Sequence, residues 1–216
     1  MPKTIIVALS FDDGLEQHYY IAKELYRLGI SATFFIITHL KRHPDWPNMP
    51  LLKKEQIQAM RLMGHEIASH SALHRDLTRL NKEELFFEIR DSKISLENIL
   101  GQEVVGFAYP YGLYTHSVKS IVEHYYDYAR SLYLRSVKTC SSSYNKQTFK
   151  YALCSFTPKA FVAYLFHSII HKGRFPYGNI IVFHKEPLSE IYTLLRTLKL
   201  VGAKFCSIKD LVRYLC

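Results

Sequence analysis

The chain has 216 residues, 48% of them hydrophobic and 22% charged, with a formal net charge of +9. That length suits one domain over residues 1–216 with a full hydrophobic core. Lys and Arg are scattered, the densest spots being "KRH" at 41–43 and "KK" at 53–54, so the charge reads as a solvated basic surface and no nucleic acid is expected as a partner.

In chain order, the first apolar run, Ile5–Leu9, reads as a strand. It is too short for a signal-peptide core or a membrane span. The most apolar later stretch, "AFVAYLFHSII", holds a His and a Ser and reads as a buried helix, so no membrane span and a cytoplasmic location are expected. Further strands are expected at Ala32–Ile37, Glu66–Ser69, Val105–Tyr109, Tyr128–Ser131, Ala152–Phe156, Ile180–Phe183 and Lys204–Ser207. Helical patterns fall near 17–28, 54–63, 82–100, 114–125, 158–172, 187–201 and 208–215. Gly29, Gly64, Gly101 and Gly202 stand where helices should stop, as C-cap glycines do. Strands alternating with helices predict an α/β fold with parallel strands, and seven or eight strands in this length suit a small barrel. Chemistry should then collect at the carboxyl ends of the strands. Four cysteines without Cys-x-x-Cys spacing point to neither a disulfide framework nor a zinc–thiolate site.

Asp12, Asp13 and Gly14 follow the first strand. Asp-Gly is a turn signal, and a turn alone would account for it. Other strands, however, deliver polar side chains to the same rim. His70 follows "GHEIAS", His74 stands four residues on in "HSALH", "AYPYG" closes the fourth strand, and His184 ends "NIIVFH". On a helical turn, a spacing of four puts both imidazoles on one face, which suits a divalent metal. "HSIIH", His167 to His171, has the same spacing, but lies mid-helix without a nearby carboxylate and is preferred as a pair of helix histidines. Two imidazoles and one carboxylate leave an open position for water, the arrangement of a catalytic zinc-type site. Of two adjacent aspartates, one can fix the metal while the other accepts the proton of the water.

Together these motifs resemble the polysaccharide deacetylases, carbohydrate esterase family four: "SFDDG" resembles that family's first motif, "HSALH" its second, "AYPYG" its third and "IIVFH" its last. The resemblance runs from about residue 4 to residue 210. It implies a distorted seven-stranded (β/α)7 barrel and metal-dependent removal of acetyl groups from N-acetylated sugars or polysaccharides. It also implies Asp12 as general base, Asp13, His70 and His74 as metal ligands, and His184 as the general acid that protonates the leaving amine. The backbone N–H of Tyr111 matches the family's oxyanion donor. Zinc is the expected ion, with cobalt, manganese or nickel as alternatives. Two places depart from the pattern. Many members carry an Arg where this chain has Ala108, and that Arg orients the catalytic Asp. The fourth motif, whose acid supports the catalytic His, is replaced by "DYARS" (127–131). Arg130, near the carboxyl end of that expected strand, is a candidate to reach Asp12 in place of the missing Arg; the alternative is an outward, solvated side chain.

Two other readings stay open. The same fold and metal site could hydrolyse a cyclic amide or an acetyl ester, or the chain could be a non-catalytic module binding glycan or nucleic acid through a Tyr-rich surface (16 Tyr). A binder has no need of Asp12, Asp13, His70, His74 and His184 together, and "HYYDY" reads as packing. Trp46, in the loop "HPDWPNMP", is either a sugar-stacking wall or a loop anchor.

Overall fold

The computed structural model of the protein describes residues 5–132, 153–156, 158 and 179–215. The strands are β1 (Ile6–Phe11), β2 (Thr33–Ile36), β3 (Glu66–Ser69), β4 (Gly106–Ala108), β5 (Tyr128–Leu132), β6 (Leu153–Phe156), β7 (Asn179–Phe183) and β8 (Lys204–Cys206). The helices are α1 (Gln17–Arg27), α2 (Lys54–Leu62), α3 (Lys82–Phe86), α4 (Ser92–Leu100), α5 (His116–Tyr125), α6 (Leu188–Leu200) and α7 (Ile208–Leu215). Every strand pairing is parallel, and β1 to β7 run in order around a ring that returns to β1. The ring is the expected seven-stranded barrel. It is distorted at one seam: β2 pairs only with Ser10 and Phe11 of β1, while β8 takes the pairing positions of Ile6, Val7 and Ala8.

Strand alternation sorts the side chains. On β1, Val7, Leu9 and Phe11 join the large outer core against the helices, whereas Ala8 belongs to a smaller inner cluster with Phe35, Ala68, Ala108 and Tyr128. Ile208, Leu211 and Val212 of α7 join the inner cluster. Backbone N–H groups of Ile208 and Lys209 donate to Thr33 Oγ1 (2.8 Å) and Glu66 Oε2 (2.9 Å), at the first residues of β2 and β3. α7 therefore plugs the amino end of the barrel and leaves the carboxyl end for chemistry. The three inner alanines leave room for two large inner side chains, Tyr128 and Arg130, both fully buried. Tyr128 Oη donates to half-buried Glu66 at 2.8 Å, and a Cβ on Gly106 would stand 2.3 Å from that oxygen, so this position admits only glycine.

Gly29, Gly64, Gly101 and Gly202 all have positive φ, the left-handed helix stops expected of them. The expected helix over 82–100 is interrupted: a π-helical turn at Phe87–Asp91 separates α3 from α4. His167, His171 and all but the first residue of the expected helix near 158–172 lie outside the described residues, as do Cys140 and the body of the segment between β5 and β6.

Candidate active site

The first carboxylate is a product of strand alternation. Asp12 continues the inward series Ala8, Ser10 one step past β1, and its N–H donates to Phe183 O at 3.0 Å, prolonging the ladder with β7. A continuing strand would send Asp13 to the opposite face. Instead Asp13 has φ 76° and Gly14 φ 66°, so the chain reverses and both carboxylates, each buried, serve one rim.

Arg130 reaches Asp12 from across the barrel interior. It stands in register with Ala108 on the adjacent strand, the guanidinium lies over the Phe35 ring (5.0 Å to its centroid), and Nη2 is 2.5 Å from both Asp12 oxygens. The guanidinium thus enters from the neighbouring strand into space that Ala108 leaves clear. Burial pushes the Asp12 carboxyl up, but Arg130, His70 and His184 more than reverse this, and it ends below the ordinary carboxylate range.

Three imidazoles surround Asp13. Its Oδ1 lies 3.4 Å from Nε2 of His70, 3.5 Å from Nε2 of His74 and 3.4 Å from Nε2 of His43. Burial would raise the Asp13 carboxyl; His43, His70 and His74 hold it well below the usual range. His74, buried beside His70, is pushed down to about 3, so its ring is neutral with a free lone pair. His70 Nδ1 lies 2.9 Å from the Ala108 carbonyl oxygen, to which it donates. In the neutral ring this leaves the lone pair on Nε2, although Asp12 and Asp13 outweigh burial and raise the pKa of His70. These donors suit a metal. An ion bound at about 2.0–2.1 Å puts tetrahedral donors about 3.3–3.4 Å apart, and Asp13 Oδ1 is a buried acceptor with no hydrogen-bond partner among the described residues. Asp13, His43 and His74 offer ligand atoms that all lie within 4.8 Å of one another.

His70 and His74 do not share a helical turn, contrary to the spacing argument. The segment is a loop in which Ser71 has φ 68° and His74 φ 55°. Glu88, fully buried on the π-helical turn, shapes it by accepting from the N–H groups of Ala72 (2.9 Å) and Leu73 (2.8 Å), and from Arg75 Nε (2.6 Å). A π turn is a known device for re-aiming a side chain at a functional site. Among the described residues, the non-glycine positions with positive φ are Asp13, Ser71, His74 and Tyr111. All four belong to this rim, where backbone strain of order 1–3 kcal/mol per residue is held by the surrounding structure.

His184 follows β7 and places Nε2 3.7 Å from Asp12 Oδ2. Its carbonyl accepts from Nε2 of fully buried His18 at 2.6 Å, and its N–H donates to Glu186 at 2.6 Å. Tyr111 has φ 57° in the turn after β4, and its ring lies 4.6 Å from that of His74. Trp46 stacks one face on His43 (4.5 Å, 14°), and its ring stands steeply to that of His184 (6.0 Å, 75°). Above these groups the described residues leave a cavity of about 300 Å³, with Trp46, Tyr111, Leu132 and Lys185 in its walls. The site therefore joins a carboxylate held by arginine, a His/Asp cluster suited to a divalent ion, and a half-exposed imidazole, beside a cavity open to small molecules. His43, Glu88 and His18 were not foreseen from the sequence; only His43, in a loop with Pro44 and Trp46, carried any local signal.

A sequence model of a family described as polysaccharide deacetylase matches residues 2–129. A chitooligosaccharide deacetylase from Rhizobium leguminosarum bv. trifolii is 29% identical over 117 residues, covering 53% of this chain and 50% of that protein. Chitin deacetylase 2 of Cryptococcus neoformans var. grubii is 30% identical over 125 residues, 56% of this chain and 25% of its own length. The chain spans half or less of the length of the curated relatives it matches. The Xyl-CE4 domain of a multidomain xylanase from the hindgut metagenome of Trinervitermes trinervoides has the same fold, with a TM-score of 0.65 at 21% identity over 98% of this chain and 91% of that one. So does a CE4-family pseudoenzyme from Bacillus anthracis (TM-score 0.66, 17% identity, 98% and 66% coverage), which makes the fold by itself silent about activity.

Proposed function

Because this chain belongs to the polysaccharide deacetylase family, we propose that it is a metal-dependent hydrolase that removes acetyl groups from N-acetylated sugars or polysaccharides. One observation carries the reading: Asp12, ionised and held by Arg130, stands beside an Asp13–His70–His74 cluster, with His184 on the other side of Asp12. Asp13, His70 and His74 would hold the ion. The N/O donor set with two or more imidazoles favours zinc, with cobalt, nickel or manganese able to replace it. Such an ion, when bound, lowers the pKa of a water from about 15.7 to about 7 and polarises a carbonyl.

The chain's own groups do the rest. Asp12 accepts the proton of the attacking water, and its depressed pKa keeps it ready as a base through the neutral range. Arg130 fixes the carboxylate with a planar guanidinium. The Tyr111 N–H donates to the oxygen on which negative charge develops as the amide carbon becomes tetrahedral. His184 gives a proton to the departing amine, so acetate and a free amino sugar leave. His18 and Glu186 hold the His184 backbone while its ring remains partly open to solvent.

The test is acetate release from chitooligosaccharides, monomeric N-acetyl sugars, a cyclic amide and an acetyl ester, by protein loaded with one equivalent of zinc. Release from the N-acetyl sugars supports the proposal. Turnover confined to the cyclic amide or the ester would replace the substrate class.

A further inference from the structure

We propose that His43 is a positioning residue of the metal site, donating its Nε2–H to Asp13 Oδ1, and is not itself a ligand of the ion. This rests on the metal reading given above. By distance alone His43 cannot be told from the ligands: its Nε2 lies 3.4 Å from Asp13 Oδ1, against 3.4 Å for His70 and 3.5 Å for His74. It also belongs, with Asp13 and His74, to a set of candidate donors within 4.8 Å of one another.

The other ring nitrogen separates them. In His70, Nδ1 faces the Ala108 carbonyl at 2.9 Å. A carbonyl only accepts, so that nitrogen carries the proton and the neutral ring offers its lone pair at Nε2, the form a metal takes. In His43, Nδ1 accepts from the Asp45 backbone N–H at 3.2 Å. A backbone amide only donates, so here Nδ1 bears the lone pair and the ring proton sits on Nε2. A nitrogen that carries a proton cannot ligate. It faces instead the carboxylate oxygen of Asp13, 3.4 Å away; the contact is longer than a hydrogen bond, and both buried atoms are otherwise without a partner among the described residues, so a small approach would satisfy both. Three residues of one short loop build this arrangement. His43 supplies the ring, Asp45 the amide that sets the tautomer, and Trp46 the indole stacked on the imidazole at 4.5 Å and 14°. His43 is 1% exposed, so water does not compete for its N–H.

The consequence is chemical. A fourth protein ligand would occupy the position that a catalytic ion keeps for water. A donor to the ligating carboxylate leaves that position open and fixes which oxygen of Asp13 meets the ion. Partners of this kind typically change metal affinity by about 10–100-fold.

The experiment uses the full chain, with cobalt(II) as the probe. X-ray absorption at the cobalt edge counts imidazoles bound to the ion, and titration gives stoichiometry and Kd. The expected result is two imidazoles in the wild type and still two in His43→Ala, with cobalt affinity about 10–100-fold weaker in that variant. His43→Gln, whose amide can donate to Asp13, should recover most of the affinity. Circular dichroism identifies folded variants, and the wild-type imidazole count decides the matter even if His43→Ala does not fold. Three imidazoles in the wild type would make His43 a ligand and overturn the proposal. Unchanged affinity in both folded variants would also overturn it. If the wild type binds no stoichiometric ion, the metal reading itself fails, an outcome distinct from either of these.

Discussion

Arg130 and Asp12 form a buried pair across the barrel interior, with one guanidinium nitrogen 2.5 Å from both carboxylate oxygens. Their strands are not neighbours: β5 and β1 are separated by β6 and β7 around the ring. The contact exists because Arg130 is long and inward-facing while its register partner is only Ala108. Removing one member of such a pair leaves an uncompensated charge and costs about 3–5 kcal/mol. Arg130→Ala should lose stability on that scale in chemical denaturation. Arg130→Lys, which keeps the charge but not the planar fork, should fold better and still turn over more slowly, with metal occupancy unchanged. Full activity in Arg130→Ala across the pH range would remove Arg130 from the mechanism.

The same pair sets the acid limb of activity. Asp12 works only when ionised, and Arg130 is the strongest of the groups that lower its pKa. Weakening that interaction raises the pKa of Asp12, so the acid limb of kcat/KM should move to higher pH in Arg130→Lys. The wild type should keep its activity further into the acid range. A limb that stays in place would mean that another group titrates there.

Asp12→Asn should bind the ion with wild-type stoichiometry while acetate release falls by about 10²–10⁴-fold, the scale of lost general-base catalysis. His74→Ala should do the reverse, losing bound metal in proportion to activity. Elemental analysis of the two purified variants, beside their initial rates, distinguishes a proton acceptor from a ligand.

Stability should fall with acid in a window set partly by His18. Its ring is fully buried and donates to the His184 carbonyl, and burial pushes its pKa down from 6.5 to about 4. Between those values the unfolded chain binds a proton that the folded chain does not, so stability rises with pH. His18 therefore contributes fully above pH 6.5, and its contribution drains as pH falls toward 4, by roughly 3 kcal/mol. Thermal melts of metal-free protein should show this slope, and His18→Gln, which can donate but not titrate there, should flatten it. An equal slope in both proteins would assign the acid sensitivity elsewhere.

Gly112, next to Tyr111, has φ 70°, and a Cβ there would stand 2.8 Å from the Leu132 backbone nitrogen. Gly112→Ala should cost on the order of 1–3 kcal/mol and shift the Tyr111 N–H. The expected signature is a lower kcat at unchanged metal occupancy. A wild-type kcat in this variant would argue against the Tyr111 N–H as oxyanion donor.

Much of the barrel is legible in the sequence because its signals are local and periodic. The apolar runs end within a residue or two of the observed strands, and the C-cap glycines mark helix ends through a backbone conformation that only glycine adopts cheaply. Asp12, Asp13, His70 and His184 are legible because each follows a strand. Arg130 is legible only as a candidate: the sequence places it on a strand but leaves inward and outward open, and its contact with Asp12 in the fold decides between them. What escapes are groups placed by irregular backbone. Glu88 sits within a helical pattern whose π turn leaves no mark on the periodicity. His74 mimics helical spacing, yet depends on a left-handed residue. His43 is embedded in a basic, Pro-punctuated loop, where neither period nor charge shows that its ring is buried against Asp13.

The most direct test of metal-dependent deacetylation is acetate release from an N-acetylated chitooligosaccharide by chelator-stripped protein, followed as zinc is added back. Release should be absent in the stripped protein, rise linearly with zinc and stop rising at one equivalent. Asp12→Asn should take up the same equivalent without gaining activity. Acetate release that persists after the metal has been removed, or that never rises with any equivalent of zinc, cobalt, manganese or nickel, would contradict it.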